Sequence, residues 1–151
     1  MLFEASRAGD QGYHTPDDIR SVPKLARYVE NWGRSGDLGV IGEIGQRSAG
    51  AAWLRRFPPE DAGDTYIDAD IPELAIAVDS TARGTGLGTA LLTRLLAEAA
   101  RSCSGVCLNV RTDNPAHRLY RRLGFVDIPG SQLTNWAGTT SVNMVLRFHP
   151  C

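Results

Sequence analysis

No apolar run in this chain comes near the ~20 residues that a membrane-spanning helix needs. Charge of one sign is not in excess either: 16 basic side chains meet 17 acidic ones, for a formal net charge of -1. The summed field that draws basic proteins to nucleic acids or anionic membranes is therefore missing, and neither partner is expected. Cysteine is scarce, at three residues, and the odd number excludes a complete disulfide framework. Cys103 and Cys107 are four apart, with no third or fourth ligand nearby in sequence, so no metal site is expected. Two reduced thiols are expected instead, one at a helix end and one in a strand. The opening stretch MLFEASRAGD has no basic leader followed by an apolar segment, so no secretory signal is read there. A cytoplasmic location is the default expectation. The sequence also holds no internal repeat and no low-complexity tract.

What is there suits one folded domain spanning 1–151. Apolar residues make up 42% and charged residues 22% of the 151, a balance typical of a globular core. Residues 1–31 carry scattered helical signals broken by Gly12, Pro16 and Pro23, with the best short helix from about Pro23 to Asn31. LGVIGEI, from Leu38 to Ile44, and AGAAWLRRF, from Ala49 to Phe57, read as strands. The intervening GQRS suits a hairpin turn. Pro58 to Pro72 is loop-like and acidic, with Glu60, Asp61, Asp64, Asp68 and Asp70. Arg55 and Arg56 read as a solvated strand end.

ELAIAV, Glu73 to Val78, is nearly all apolar, as a central strand would be. From Gly86 to Arg101 helix formers dominate, with Leu87, Leu91, Leu95 and Ala99 on one stripe. VCLNVRT, from Val106 to Thr112, reads as the next strand. Asn114-Pro115 starts a helix, with Asn as cap and Pro in the first turn, and that helix ends near Leu123 before Gly124. Phe125 to Ile128 and Ser141 to Phe148 complete the sheet. The order predicts an α/β (α+β) fold: a mixed, mostly antiparallel sheet flanked by helices, with one parallel pair made by the crossover.

Between the central strand and the long helix lies ARGTGLGTALL, Ala82 to Leu92. A strand, a glycine-rich turn and a helix N-terminus together make an anion site. The first-turn N–H groups lack intrahelical partners, and glycine keeps Cβ atoms out of the way. Arg83 adds a full charge. The nucleoside-triphosphate loop G-x-x-x-x-G-K-[ST] is excluded, since no Gly-Lys pair occurs anywhere. The dinucleotide pattern G-x-G-x-x-G fits Gly84 and Gly86 but meets Thr89 at its third glycine. The pattern R-x-x-G-x-G is satisfied by Arg83, Gly86 and Gly88.

With this loop, ELAIAVDSTARGTGLGTALL resembles the strand, coenzyme-A loop and helix of the GNAT acetyltransferase superfamily. LNVRTDNPAHRLYRRLGF resembles the family's next strand and helix, with Asn114, Ala116, Tyr120, Gly124 and Phe125 filling N-x-A-x-x-x-Y-x-x-x-G-F in register. The resemblance covers about Glu73 to Ile128. It implies acetyl-coenzyme A as co-substrate, no metal, and a small-molecule or peptide amine as acceptor. It implies that Arg83, Gly84, Thr85, Gly86, Leu87, Gly88 and Thr89 hold the pyrophosphate. The backbone of Ile76, Ala77 and Val78 would pair with the pantetheine arm, and Asn114 would contact that arm. Tyr120 would place its phenol near the sulfur, and Glu73 is the candidate base, acting through a water. Capping alone would explain Asn114, and a half-buried core position would explain Tyr120. His117 is assigned no role. Trp32 and Trp53 fit either the acceptor side or the core.

The family opens with a strand and a long helix, whereas only about 37 residues precede Leu38 here, and none reads as that strand. A missing edge strand would invite pairing with another copy, so a homodimer is one expectation. The alternative to an N-acetyltransferase is a non-catalytic coenzyme-A-binding or sensory domain of the same fold.

Overall fold

The computed structural model describes residues 32–61, 63–134 and 138–149. The helix expected near Pro23 to Asn31, and the question of a first strand, lie outside the described residues. The described chain forms β1 (Leu38–Ile44), β2 (Arg47–Arg55), β3 (Glu73–Val78), α1 (Leu87–Ala99) and β4 (Gly105–Arg111). Then come α2 (Ala116–Arg122), β5 (Val126–Asp127), β6 (Leu133–Thr134) and β7 (Thr140–Arg147). Two compact units result, 32–55 with 75–95 and 56–74 with 96–149, and the chain passes from one to the other inside β3 and inside α1. The strands follow the order β1-β2-β3 in the first and β3-β4-β7-β5 in the second, with β6 on β7. The sheet is mostly antiparallel with one parallel pair, β3–β4, as the sequence order predicts.

In the first unit β1 and β2 form an antiparallel hairpin running from Leu38↔Leu54 to Ile44↔Arg47. Its turn is tighter than the sequence suggests. Arg47 and Ser48 already pair, so only Gly45 and Gln46 are left to turn, with Gly45 at φ 65°. Gly42 and Gly50 face each other across the hairpin. A Cβ on Gly42 would stand 2.6 Å from Leu87 Cδ1, and one on Gly50 would stand 2.9 Å from the Ala77 carbonyl oxygen. The two glycines thus make a flat patch on which Leu87 and Leu91 of α1 lie. Leu54, Leu92 and Leu95 are fully buried.

Arg55 corrects the sequence reading. It is not a solvated strand end but wholly buried. Asp37 explains this, since its carboxylate receives Arg55 Nε at 3.0 Å and Nη2 at 2.8 Å. The same carboxylate accepts the N–H groups of Gly33 and Arg34 at 3.0 and 2.9 Å. The Trp32 ring covers the guanidinium, 5.4 Å from the ring centroid, while Trp53 is core. Burial opposes ionisation of Asp37. The Arg55 hydrogen bonds, the two N–H groups and the Arg55 charge outweigh it and hold the carboxyl below the usual carboxylate range.

In the second unit β4 pairs antiparallel with β7 from Gly105↔Arg147 to Arg111↔Ser141. The parallel ladder with β3 consists of one pair, Glu73↔Cys107. Val106, Leu108, Val110, Val142 and Met144 are buried, and Tyr120 and Phe125 meet with ring centroids 5.7 Å apart. Arg56 is also not simply solvated: Nη2 donates to the Ser102 carbonyl at 2.8 Å and lies 3.6 Å from Asp70. Cys103 and Cys107 are free thiols, as read from sequence.

Asp37→Ala would remove the two hydrogen bonds by which the carboxylate holds the buried Arg55 guanidinium. Breaking a buried pair from one side costs about 3–5 kcal/mol, so urea unfolding should shift to markedly lower denaturant. An unchanged midpoint would contradict this account of the pair. Because the folded pKa of Asp37 is depressed, its stabilisation is complete above the unfolded value near ~3.9 and is lost as pH falls through the folded value.

Candidate active site

The glycine loop is set up by Asp79, the first residue after β3. Its N–H donates to the Ala49 carbonyl at 2.7 Å, which ties the strand end to β2. Its Oδ1 accepts the Thr81 N–H and hydroxyl, each at 3.0 Å, and Arg47 lies 3.2 Å from Oδ2. The Thr81 hydrogen bonds, followed by the charges of Arg47 and Arg83, hold the Asp79 carboxyl below its usual range despite desolvation. A short 3₁₀ turn, Ser80–Ala82, follows. Ala82 N–H closes it on the Asp79 carbonyl, and the Thr85 hydroxyl donates to the Ala82 carbonyl. Gly84 and Gly86 then take φ of 78° and 86°, the left-handed region that glycine enters without penalty.

Ala90 N–H is the donor that begins the helical ladder, bonding the Gly86 carbonyl at 3.1 Å. The N–H groups of Leu87, Gly88 and Thr89 precede it, where an α-helix gives donors no intrahelical partner. No acidic residue stands in this first turn, so no side-chain charge competes for the positive end of the helix dipole. Arg83, Gly84, Thr85, Gly86 and Thr89 are exposed, and Leu87 and Gly88 are half-buried. Gly88 is informative because it is helical. A Cβ there would meet only Val78 Cγ2 at 3.8 Å and Ile76 Cδ1 at 4.0 Å, which is ordinary contact. Packing in the fold therefore does not require glycine at 88. Ile76 and Val78 on β3 are half-buried and Ala77 is buried, so the first unit brings Ile76, Ala77 and Val78 together with Arg83 to Thr89.

The second unit carries Glu73, Asn114 and Tyr120. Glu73 is 3% exposed and is the Cα partner of Cys107, so both side chains share one face of the sheet. Burial, and then the Glu73 charge, push the Cys107 thiol far above its ordinary value. That thiol is no nucleophile. Asn114 Oδ1 accepts the Ala116 N–H at 2.9 Å, the capping contact expected of it, and Pro115 stands immediately before α2 with helical dihedrals rather than within its first turn. Tyr120 is 7% exposed, and burial alone pushes its phenol up to about 12. It is therefore a protonated donor at neutral pH. His117 Nε2 lies 2.9 Å from Asp127, and Arg121 lies 2.7 Å from the same carboxylate, so His117 pins α2 to β5.

Sequence reasoning missed Asp79 and a polar cluster of Thr65, Asn109, Ser141 and Asn143. Asp79 has a local signal, an Asp two residues before a Thr at a strand end. The cluster has none, because its members come from segments 32 to 78 residues apart.

The model of the family described as acetyltransferase (GNAT) domain matches residues 37–127. No curated protein sequence matches the chain. Among solved structures, the ribosomal-protein-alanine N-acetyltransferase from Brucella melitensis is 21% identical over 96% of each chain, with a TM-score of 0.67. The ribosomal-protein-S18-alanine N-acetyltransferase from Escherichia coli is 24% identical over 84% of this chain and 78% of its own, with a TM-score of 0.66. A GNAT superfamily phosphinothricin acetyltransferase from Sinorhizobium meliloti, in complex with acetyl-coenzyme A, is 21% identical over 75% and 62%, with a TM-score of 0.63. At these identities the likeness establishes the fold. The family-model match spans more than half of the sequence, and it carries the conclusion that this chain belongs to the GNAT acetyltransferase family.

Proposed function

We propose that this protein is an N-acyltransferase that moves the acetyl group of acetyl-coenzyme A directly onto a primary amine. The observation that carries the reading is Gly88, a helical glycine that packing does not need, between the first-turn N–H groups of Leu87 and Thr89. A pyrophosphate seated there would use the donors, the dipole and the Arg83 charge together. In this reading Arg83, Gly84, Thr85, Gly86, Leu87, Gly88 and Thr89 form the phosphate cradle. The backbone of Ile76, Ala77 and Val78 pairs with the pantetheine arm, and Asn114 contacts it.

Chemistry assigns the remaining roles. A primary amine is mostly ammonium at neutral pH and must lose a proton before it can attack. Glu73, acting through a water, takes that proton. The nitrogen lone pair then forms the N–C bond, and a main-chain N–H of β3 stabilises the oxyanion. Once bonded to the acyl carbon, the nitrogen loses its second proton through the same water to Glu73, which has passed the first to solvent; as the C–S bond breaks, Tyr120 donates its proton to the leaving thiolate and recovers one from solvent. A phenol near 12 is a weak acid against a thiol whose ordinary pKa is about 8.5. The mismatch narrows when the thiolate is itself desolvated, which is what burial does to Cys107 in the same unit. The acid accordingly helps without being indispensable. The likeness to the two ribosomal-protein-alanine N-acetyltransferases favours including an alanine-initiated peptide among the amines tried.

Thermal unfolding with acetyl-coenzyme A, coenzyme A, NAD and ATP tests the donor. At about 100 times its dissociation constant a ligand adds roughly 2.7 kcal/mol, and the two coenzyme-A species alone should do so. A larger shift with a nucleotide would overturn the reading. Gly88→Ala should fold normally, stabilised by up to ~1 kcal/mol through helix propensity, yet lose the acetyl-coenzyme A shift. Thiol release with a panel of primary amines tests the transfer. Tyr120→Phe should lower kcat by about a hundredfold, at the weak end of general-acid effects, and Glu73→Gln should lower kcat/KM by at least as much. Coenzyme-A binding without acetylation of any amine would mark a binding domain instead.

A further inference from the structure

β4 lies between β3 and β7, and Val106, Cys107, Leu108 and Val110 are all buried. Asn109, in the middle of this strand, is exposed. Its carboxamide is nevertheless held. Nδ2 donates to Asn143 Oδ1 at 2.9 Å and to Ser141 Oγ at 3.1 Å.

The direction of this amide follows from the far end of the cluster. Asn143 Nδ2 donates to the Asp64 carbonyl at 2.9 Å. A carbonyl oxygen only accepts, so that end of Asn143 must be its NH₂ group. Asn143 Oδ1 then faces the other way, toward Asn109 and toward the Thr65 hydroxyl at 3.4 Å. Asn109 must in turn present its NH₂ inward, where both hydrogens are used. Ser141 passes its own proton on to the Leu133 carbonyl at 3.5 Å. Thr65, Ser141 and Asn143 are each 6% exposed, so the cluster is buried up to Asn109. Asn109 Oδ1 is left on the open side, and among the described residues no donor reaches it.

That oxygen stands on the Glu73 face. Asn109 is two residues on from Cys107, so the two share a face, and Glu73 is the pair partner of Cys107 on the next strand. We propose that Asn109 Oδ1 is a fixed hydrogen-bond acceptor for the substrate amine, and that it selects primary over secondary amines. The inference rests on the acetyl-transfer reading above. A neutral primary amine has two N–H groups: one donates to Asn109 Oδ1, and the other leaves as the proton taken through Glu73. A neutral secondary amine has one N–H and cannot do both. A group with acceptors only meets the Asn109 lone pairs and is repelled.

The test compares an alanine-initiated peptide, its N-methylalanine form and a panel of simple primary amines, using Asn109→Ala and Asn109→Thr at saturating acetyl-coenzyme A. Both variants should keep the acetyl-coenzyme A thermal shift. For primary amines kcat/KM should fall about tenfold, the worth of one hydrogen bond, and the preference over the N-methyl form should shrink toward one. Unchanged kcat/KM with an unchanged preference would overturn the inference while leaving the transfer reading intact. Loss of the acetyl-coenzyme A shift in both variants would also overturn it, since Asn109 would then serve the fold or the cofactor. Absence of thiol release with every primary amine in the parent protein would overturn the transfer reading and this inference with it.

Discussion

The geometry of the first unit depends on how Asp79 ends β3. A strand satisfies its N–H groups sideways, whereas a helix satisfies them along its axis and leaves the first turn without partners. Changing from one to the other within a few residues requires a turn with its own hydrogen bonds. Asp79 supplies them, with its main chain to Ala49 and Ala82 and its side chain to Thr81. Without that closure the glycines at 84 and 86 would sample many conformations, and the helix end would have no fixed direction. With it, donors, dipole and Arg83 are presented by one segment of chain.

The second unit solves a different problem. Acid-base chemistry at neutral pH needs groups whose environments hold the useful protonation state. Burial pushes the Tyr120 phenol up to about 12, so it stays protonated across the physiological range. Burial together with the Glu73 charge acts in the same direction on Cys107, keeping its thiol protonated. The polar cluster ending at Asn109 adds orientation rather than charge. Its hydrogen-bond directions run one way, from the Asp64 carbonyl out to a single exposed oxygen.

Much of the architecture was legible in the sequence because its signals are local. Alternation in LGVIGEI, the apolar run ELAIAV and the Asn-Pro start of α2 each report on a few adjacent residues, and the structure follows them closely. The hairpin turn was misjudged by two residues because Arg47 and Ser48 look like turn formers but pair across the ladder. Arg55 was misread because its environment is made by Asp37 and Trp32, which no local pattern links to it. The brief β6 strand was missed for a similar reason. Its two residues, Leu133 and Thr134, owe their form to pairing with β7 and carry no periodicity of their own. Of the candidate site, the glycine loop was readable as one contiguous motif. The orientation of Asn109 was not, since it follows from a hydrogen-bond relay through residues far apart in sequence.

The central claim is that one continuous segment, the end of β3 through the start of α1, receives the pyrophosphate and the pantetheine arm. Amide chemical-shift mapping with ¹⁵N-labelled protein during titration with acetyl-coenzyme A tests it most directly. The account predicts saturable shifts that are largest at the N–H groups of Gly86, Leu87, Gly88 and Thr89, and marked at Ile76, Ala77 and Val78. Saturable shifts that leave these amides unmoved would contradict it.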